Sequence, residues 1–218
     1  MKKSKVLLLS ICAVLLATVS VLGTLAYLTS EDTTVNTFTV GKVNITLDEA
    51  AVNPDGTLVS GAGRVKTNNY HLVPGKTYIK DPTITVVKGS EESYVRMLVT
   101  INCMAEFDSI YAPEVADLTT IFNGYDATNW EYKAVVRDAT ANTVTYEFRY
   151  KQTVEPADDT DTVLDALFDS ITVPGKFDSD DMASIADLKI TVVGHAIQAT
   201  GFANADSAWA AFDAQING

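Results

Sequence analysis

Along much of the chain, apolar and polar residues alternate one for one, the period of a strand with one buried and one wet face. Val95, Met97, Val99 and Ile101 share one parity, with Arg96, Thr100 and Asn102 on the other. Trp130, Tyr132, Ala134 and Val136 alternate with Glu131, Lys133 and Arg137. After a turn-like stretch at Asp138–Thr143, Val144, Tyr146, Phe148 and Tyr150 alternate with Thr145, Glu147, Arg149 and Lys151, which predicts a hairpin. Further strands are expected at Thr77–Val87, interrupted near Asp81-Pro82, at Ser170–Val173 and at Leu188–Ala199. Pro82 has no N–H for a ladder, so it marks an edge, a bulge or a strand start. Pro74-Gly75 and Pro174-Gly175 mark turns, and 53–63 is a loop by composition.

Helical pieces are few. Ala105–Leu118 and Asp161–Phe168 are each expected to hold a short helix. Asn204–Ile216 is the clearest, with Asn204 or Asp206 to cap it and Ala208, Trp209 and Phe212 spaced along one face. The expected class is all-β, an antiparallel two-sheet β-sandwich with short peripheral helices, including one at the C-terminus. Pattern alone does not separate a jelly roll from an immunoglobulin-like sandwich. No internal repeat or linker divides the region, so one domain is expected.

The N-terminus follows a different pattern. Lys2, Lys3 and Lys5 precede an almost uncharged run from Val6 to Ala26, and Thr24 and Ala26 are small residues where a signal peptidase reads them. This is the layout of a secretory signal over 1–26, cut between Ala26 and Tyr27. An uncleaved membrane anchor is the alternative. A β-branched stretch follows within 27–47. Phe38 and Val40 lie on one parity and Val43, Ile45 and Leu47 on the other, with Gly41 between them. Such a switch predicts a strand kinked by a bulge at the glycine. A strand so near a free end can dock into its own domain or into a neighbour. The rest of the single domain is 48–218.

Gly23-Thr24-Leu25-Ala26-Tyr27-Leu28-Thr29-Ser30 and Asn36-Thr37-Phe38-Thr39-Val40-Gly41-Lys42-Val43 resemble the TasA/camelysin family of Gram-positive bacteria. Shorter matches are Leu72–Lys76, Lys80–Val86, Tyr94–Thr100, Ala196–Ala199 and Ala208–Phe212. The resemblance implies a jelly-roll fold, cleavage by the dedicated signal peptidase SipW, and a place on the cell surface or in a biofilm matrix. It also implies assembly by donor-strand exchange, in which Phe38, Val40, Val43, Ile45 and Leu47 would fill an apolar groove of the next subunit. Camelysin is described as a cell-surface metalloendopeptidase, so the resemblance brings that alternative too.

Composition narrows the choice. The 218 residues carry a formal charge of −12, and without the three signal lysines −15 (−12 minus 3). Nucleic acid and anionic lipid are therefore not expected partners. Cys12 lies in the signal behind a bulky Ile11, which argues against lipidation. Cys103 alone remains, expected as a buried thiol in line with Val95, Val99 and Ile101. Neither His71 nor His195 has a Glu-x-x-His arrangement, so no zinc or other metal site is expected. No Gly-x-Ser-x-Gly elbow or phosphate loop appears, so neither a catalytic residue nor a cofactor is assigned. Asp158-Asp159-Thr160-Asp161 and Asp178-Ser179-Asp180-Asp181 fit helix caps better than calcium ligands. The expected function is a secreted structural subunit that associates with itself or with related matrix proteins, with no stable membrane anchor after cleavage. The alternatives are a metalloendopeptidase and a monomeric surface-binding module.

Overall fold

A computed structural model describes residues 42–111, 122–157 and 159–216. The signal, its cleavage residues Thr24, Ala26 and Tyr27, the expected kink at Gly41, and Phe38 and Val40 lie outside the described residues. The chain divides after Val40, and every described residue belongs to the second unit.

Among the described residues, ten strands and three helices follow in order: β1 (Ile45–Asp48), β2 (Thr77–Ile79), β3 (Thr83–Val86), β4 (Ser93–Asn102), α1 (Met104–Tyr111), β5 (Phe122–Asn123), β6 (Trp130–Asp138), β7 (Thr143–Tyr150), β8 (Thr162–Val163), β9 (Ser170–Thr172), α2 (Ser179–Ser184), β10 (Ile190–Gln198) and α3 (Ala205–Ile216). They form three antiparallel sheets, ordered β10-β4-β7-β6, β1-β3-β8 and β2-β9-β5. The fold is mostly β with few short helices.

The alternation in β4 and β7 positions the core. Val95, Met97 and Val99 are fully buried, as are Tyr146 and Phe148, facing them in register as Val99↔Tyr146 and Met97↔Phe148. Phe122 of β5 stacks on Phe168 at 4.5 Å and meets Tyr146 and Phe148 edge-on. One hydrophobic cluster thus draws on all three sheets, with Tyr78 and Ile171 from one and Ile84 and Val86 from another. Each fully buried aromatic contributes on the order of 2–3 kcal/mol of transfer free energy.

The interruption at Asp81-Pro82 is real and is held on both sides. The Lys80 N–H donates to the Asp169 carbonyl, the Leu167 N–H to Pro82 and the Leu164 N–H to Ile84, so the backbone stays paired between β2 and β3. Arg64 secures the break from outside, with Nη1 2.8 Å from Asp81 and Nη2 2.8 Å from Thr83. Gly56, at φ +82°, lies beneath Tyr78; a Cβ there would stand 2.9 Å from the Tyr78 Cα.

Three expectations are corrected. A bulge between Tyr132 and Ala134 reverses the faces of β6, so Val136 is 64% exposed rather than inward-facing. Asp161–Phe168 is not helical. It holds β8 and an irregular run in which Leu164, Leu167 and Phe168 enter the core. Those three residues have helical spacing, but hydrogen bonds from Leu164 and Leu167 to the β3 side hold the chain open. Cys103 is only partly buried. It sits past the end of β4 at φ +56°, where the chain turns into α1.

α3 forms as expected, with Asn204 Oδ1 accepting from the Ser207 N–H and Ser207 Oγ accepting from the Asn204 N–H. Asp178 caps α2, and Asp181 completes the capping box. In the other acidic run, the described Asp159 and Asp161 precede no helix, and Asp161 Oδ1 accepts the Lys88 N–H at 2.9 Å.

Candidate functional site

The candidate site is the free edge of β10 together with β1, which packs beside it. Ile45 and Leu47 of β1 pack on the core, and the strand pairs as Ile45↔Val86 through Asp48↔Thr83. Pairing begins earlier than β1 itself: the Lys42 carbonyl accepts from Glu91 and the Asn44 carbonyl from Val87, both at 2.9 Å. Asn44 N–H donates to Ser90 Oγ at 3.0 Å. Val43, Ile45 and Leu47 are therefore docked in their own domain. Of the expected donor residues Phe38, Val40, Val43, Ile45 and Leu47, the last three lie among the described residues, and Phe38 and Val40 do not.

β1 packs over β10 at a glycine. A Cβ on Gly194 would lie 2.9 Å from Ile84 Cδ1 and 3.4 Å from Ile45 Cδ1, so the absent side chain lets β10 approach β1 and β3 closely. Val192, Gly194 and Ala196 face inward opposite Val99, Met97 and Val95. Thr191, Val193 and His195 face outward.

β10 ends its sheet, and among the described residues nothing pairs with its second edge. Its nine residues, Ile190–Gln198, include no Lys, Arg, Asp, Glu or Pro. Val193 is 42% exposed. Natural edge strands are normally blunted by charge, proline or a bulge, and this one carries none of these. The opposite edge of the sheet, β6, is blunted by its bulge and by Glu131, Lys133 and Arg137.

α3 covers part of the outer face of the same sheet through one buried cation. Arg96 is 2% exposed. Its guanidinium lies 4.4 Å from the Trp209 ring and 5.2 Å from the Phe212 ring. It forms a bidentate pair with Asp213, with Nη1 at 3.2 Å from Oδ2, and Nη1 lies 3.6 Å from Glu147. Glu147 also accepts from Arg149, which reaches Asp206 at 2.5 Å. The pairing with Arg96 holds the Asp213 carboxyl below the usual carboxylate range.

Arg96 Nε–H donates to His195 Nδ1 at 3.2 Å, so Nδ1 carries no proton. Burial, and then the Arg96 charge, push the His195 imidazole below its ordinary pKa. His71 is exposed on the loop before β2, where its carbonyl accepts from the Tyr78 hydroxyl at 2.7 Å. Burial raises the Cys103 thiol, as do Glu106 and Asp187, the reverse of what a nucleophile needs. Among the described residues, no group of three or more His, Cys, Asp or Glu side chains is placed to hold a metal ion. Nor does any described helix have the length and apolar character to cross a membrane.

No protein-family model, curated protein or solved structure matches this chain.

The open edge of β10 was not singled out from the sequence, although its signal was there. Leu188–Ala199 is readable as a strand, and its uncharged stretch Ile190–Gln198 is the mark of an edge left unprotected.

Proposed function

We propose that this chain is an exported structural subunit of an extracellular matrix or cell coat, joined to its neighbours by strand addition. In this reading the signal 1–26 is removed, and the segment up to Gly41 pairs with the free edge of β10 in another copy. Phe38 and Val40 supply the side chains that set its register. The observation that carries the reading is the unblunted, uncharged nine-residue edge of β10. The similarity of the N-terminal block to the TasA/camelysin family supports it. Because donor and acceptor are different surfaces of one chain, the contact is head-to-tail and leads to filaments rather than closed pairs.

We infer also that the sheets form a two-layer, jelly-roll-like sandwich. β2 and β3 are two halves of one stretch, and so are β8 and β9. The two smaller sheets then act as a single layer ordered β1, β2/β3, β8/β9, β5, opposite β10-β4-β7-β6.

Electron microscopy of protein beginning at Tyr27, beside protein beginning at Gly41, tests the assembly. Filaments from the first and folded monomers from the second are expected, since the shorter chain retains every described element. Soluble monomers from both would overturn self-assembly.

A further inference from the structure

Glu49 and Lys80 are both buried, at 7% exposure each, and Lys80 Nζ lies 2.7 Å from Glu49 Oε2. The other carboxylate oxygen, Oε1, accepts from Asn68 Nδ2 at 3.0 Å. One carboxylate therefore touches an amine and a carboxamide at once, one on each oxygen. The rest of the amide is also fixed: Nδ2 donates to the Ala50 carbonyl at 2.8 Å, and Oδ1 accepts the Val52 N–H at 3.0 Å.

The surroundings keep this cluster in place, with Glu49 and Lys80 away from water and Asn68 half-buried. Glu49 is pinned by paired backbone bonds to Val65 at 2.8 and 2.7 Å, and the Lys80 N–H is bound to Asp169. Tyr70 donates to the Ile79 carbonyl at 3.0 Å and stands edge-on to Tyr78 at 5.8 Å. Burial, with the Glu49 carboxylate beside it, pushes the Tyr70 phenol far above its ordinary range. Burying charges here is costly, and a neutral covalent link would remove two of them.

We propose that Lys80 and Asn68 join through an intramolecular isopeptide bond, with Glu49 as the proton carrier. Glu49 takes one proton from the Lys80 ammonium. The freed lone pair on Nζ attacks Cγ of Asn68, and the carbonyl π pair moves onto Oδ1, where the Val52 N–H holds it. Glu49 passes its proton to Nδ2 and takes a second from the attacking nitrogen. The carbonyl re-forms, the Cγ–Nδ2 bond breaks, and Nδ2 leaves with the bonding pair as ammonia. The product is a neutral secondary amide beside a protonated Glu49, and no oxidant, metal or cofactor is consumed. Holding both partners in a fixed geometry, with the amine and the proton carrier buried, lets an otherwise slow amide exchange proceed. The inference does not depend on whether the chain forms fibres.

The test is the intact mass of the purified, folded chain, followed by tryptic mapping. The expected mass is about 17 Da below that of the sequence, one ammonia lost. Trypsin should leave Lys80 uncut and yield a branched product in which Thr67–Lys76 is joined to Thr77–Lys88. Glu49→Gln keeps the size and hydrogen-bonding capacity of the side chain but cannot carry the proton. It should fold, as judged by far-UV circular dichroism, and show the full mass with Lys80 cleaved. A folded wild-type chain of full mass, cut normally after Lys80, would overturn the proposal and leave a plain buried ion pair. A 17 Da loss without the branched peptide would overturn it too, since it would place the lost ammonia elsewhere.

Discussion

Asp213→Ala removes the main counter-charge of a cation that cannot reach water. Arg96 has 3% of its side-chain surface exposed, whereas that of Asp213 is 46% exposed. Removing one partner of a wholly buried pair costs about 3–5 kcal/mol, most of it the penalty of leaving the other charge unpaired. Here the loss is smaller, because water already screens Asp213 and Glu147 remains 3.6 Å from Nη1. About 2 kcal/mol is expected, or roughly 4–8 °C in Tm for a domain of this size. Arg96→Met makes the opposite comparison. It keeps an apolar stem against Trp209 and Phe212, leaves Asp213 with 46% of its side chain in contact with solvent, and leaves Glu147 paired with Arg149 at 2.6 Å. It forfeits a cation–π contact of about 1–2 kcal/mol but removes a desolvation penalty of similar size. The net cost should be under about 1 kcal/mol. Thermal and urea unfolding of both variants measure the difference. If Arg96→Met costs as much as Asp213→Ala, the buried cation is itself a net stabiliser, and the reasoning is wrong.

Other outcomes follow from the same geometry. The lowered Asp213 pKa contributes stability that is present above the unfolded value of 3.8 and is lost as pH falls through the folded value; Asp213→Asn should flatten that acid limb in urea titrations. The depressed His195 pKa has the same direction for a base. The unfolded chain takes up its proton first, so stability declines as pH falls below about 6.5 toward the lower folded value, and His195→Gln should remove that part of the slope. Gly194→Val would press into Ile84 and Ile45 and should cost about 1–3 kcal/mol by calorimetry. Val193→Lys, at an exposed edge position, should leave stability within about 0.5 kcal/mol while abolishing filaments under the microscope. Filaments of normal length from Val193→Lys would exclude the β10 edge as the acceptor.

The parts legible in the sequence were those with a long, regular period. β4 and β7 alternate cleanly, and their inward residues are the core. β6 was readable only as far as Tyr132, because alternation assumes an unbroken pleat and a bulge leaves no reliable trace in polarity. Leu164, Leu167 and Phe168 mimic a helix face, yet partners far away in the chain decide their conformation. Arg96 reads as the wet side of β4; only the arrival of α3, more than a hundred residues later, buries it. The Glu49–Lys80–Asn68 contact was invisible for the same reason, since it depends on how the loop after β1 folds back against the break before β3.

The two edges of the β10-β4-β7-β6 sheet are unlike each other. One is long, neutral and bare; the other is charged and bent by its bulge. Such a sheet has a direction. Any polymer that grows through β10 inherits it, with two chemically different tips, one presenting the vacant edge and the other a spare leading segment. Elongation at one tip then need not match elongation at the other. A short peptide copying the leading segment would stop only the tip that presents β10.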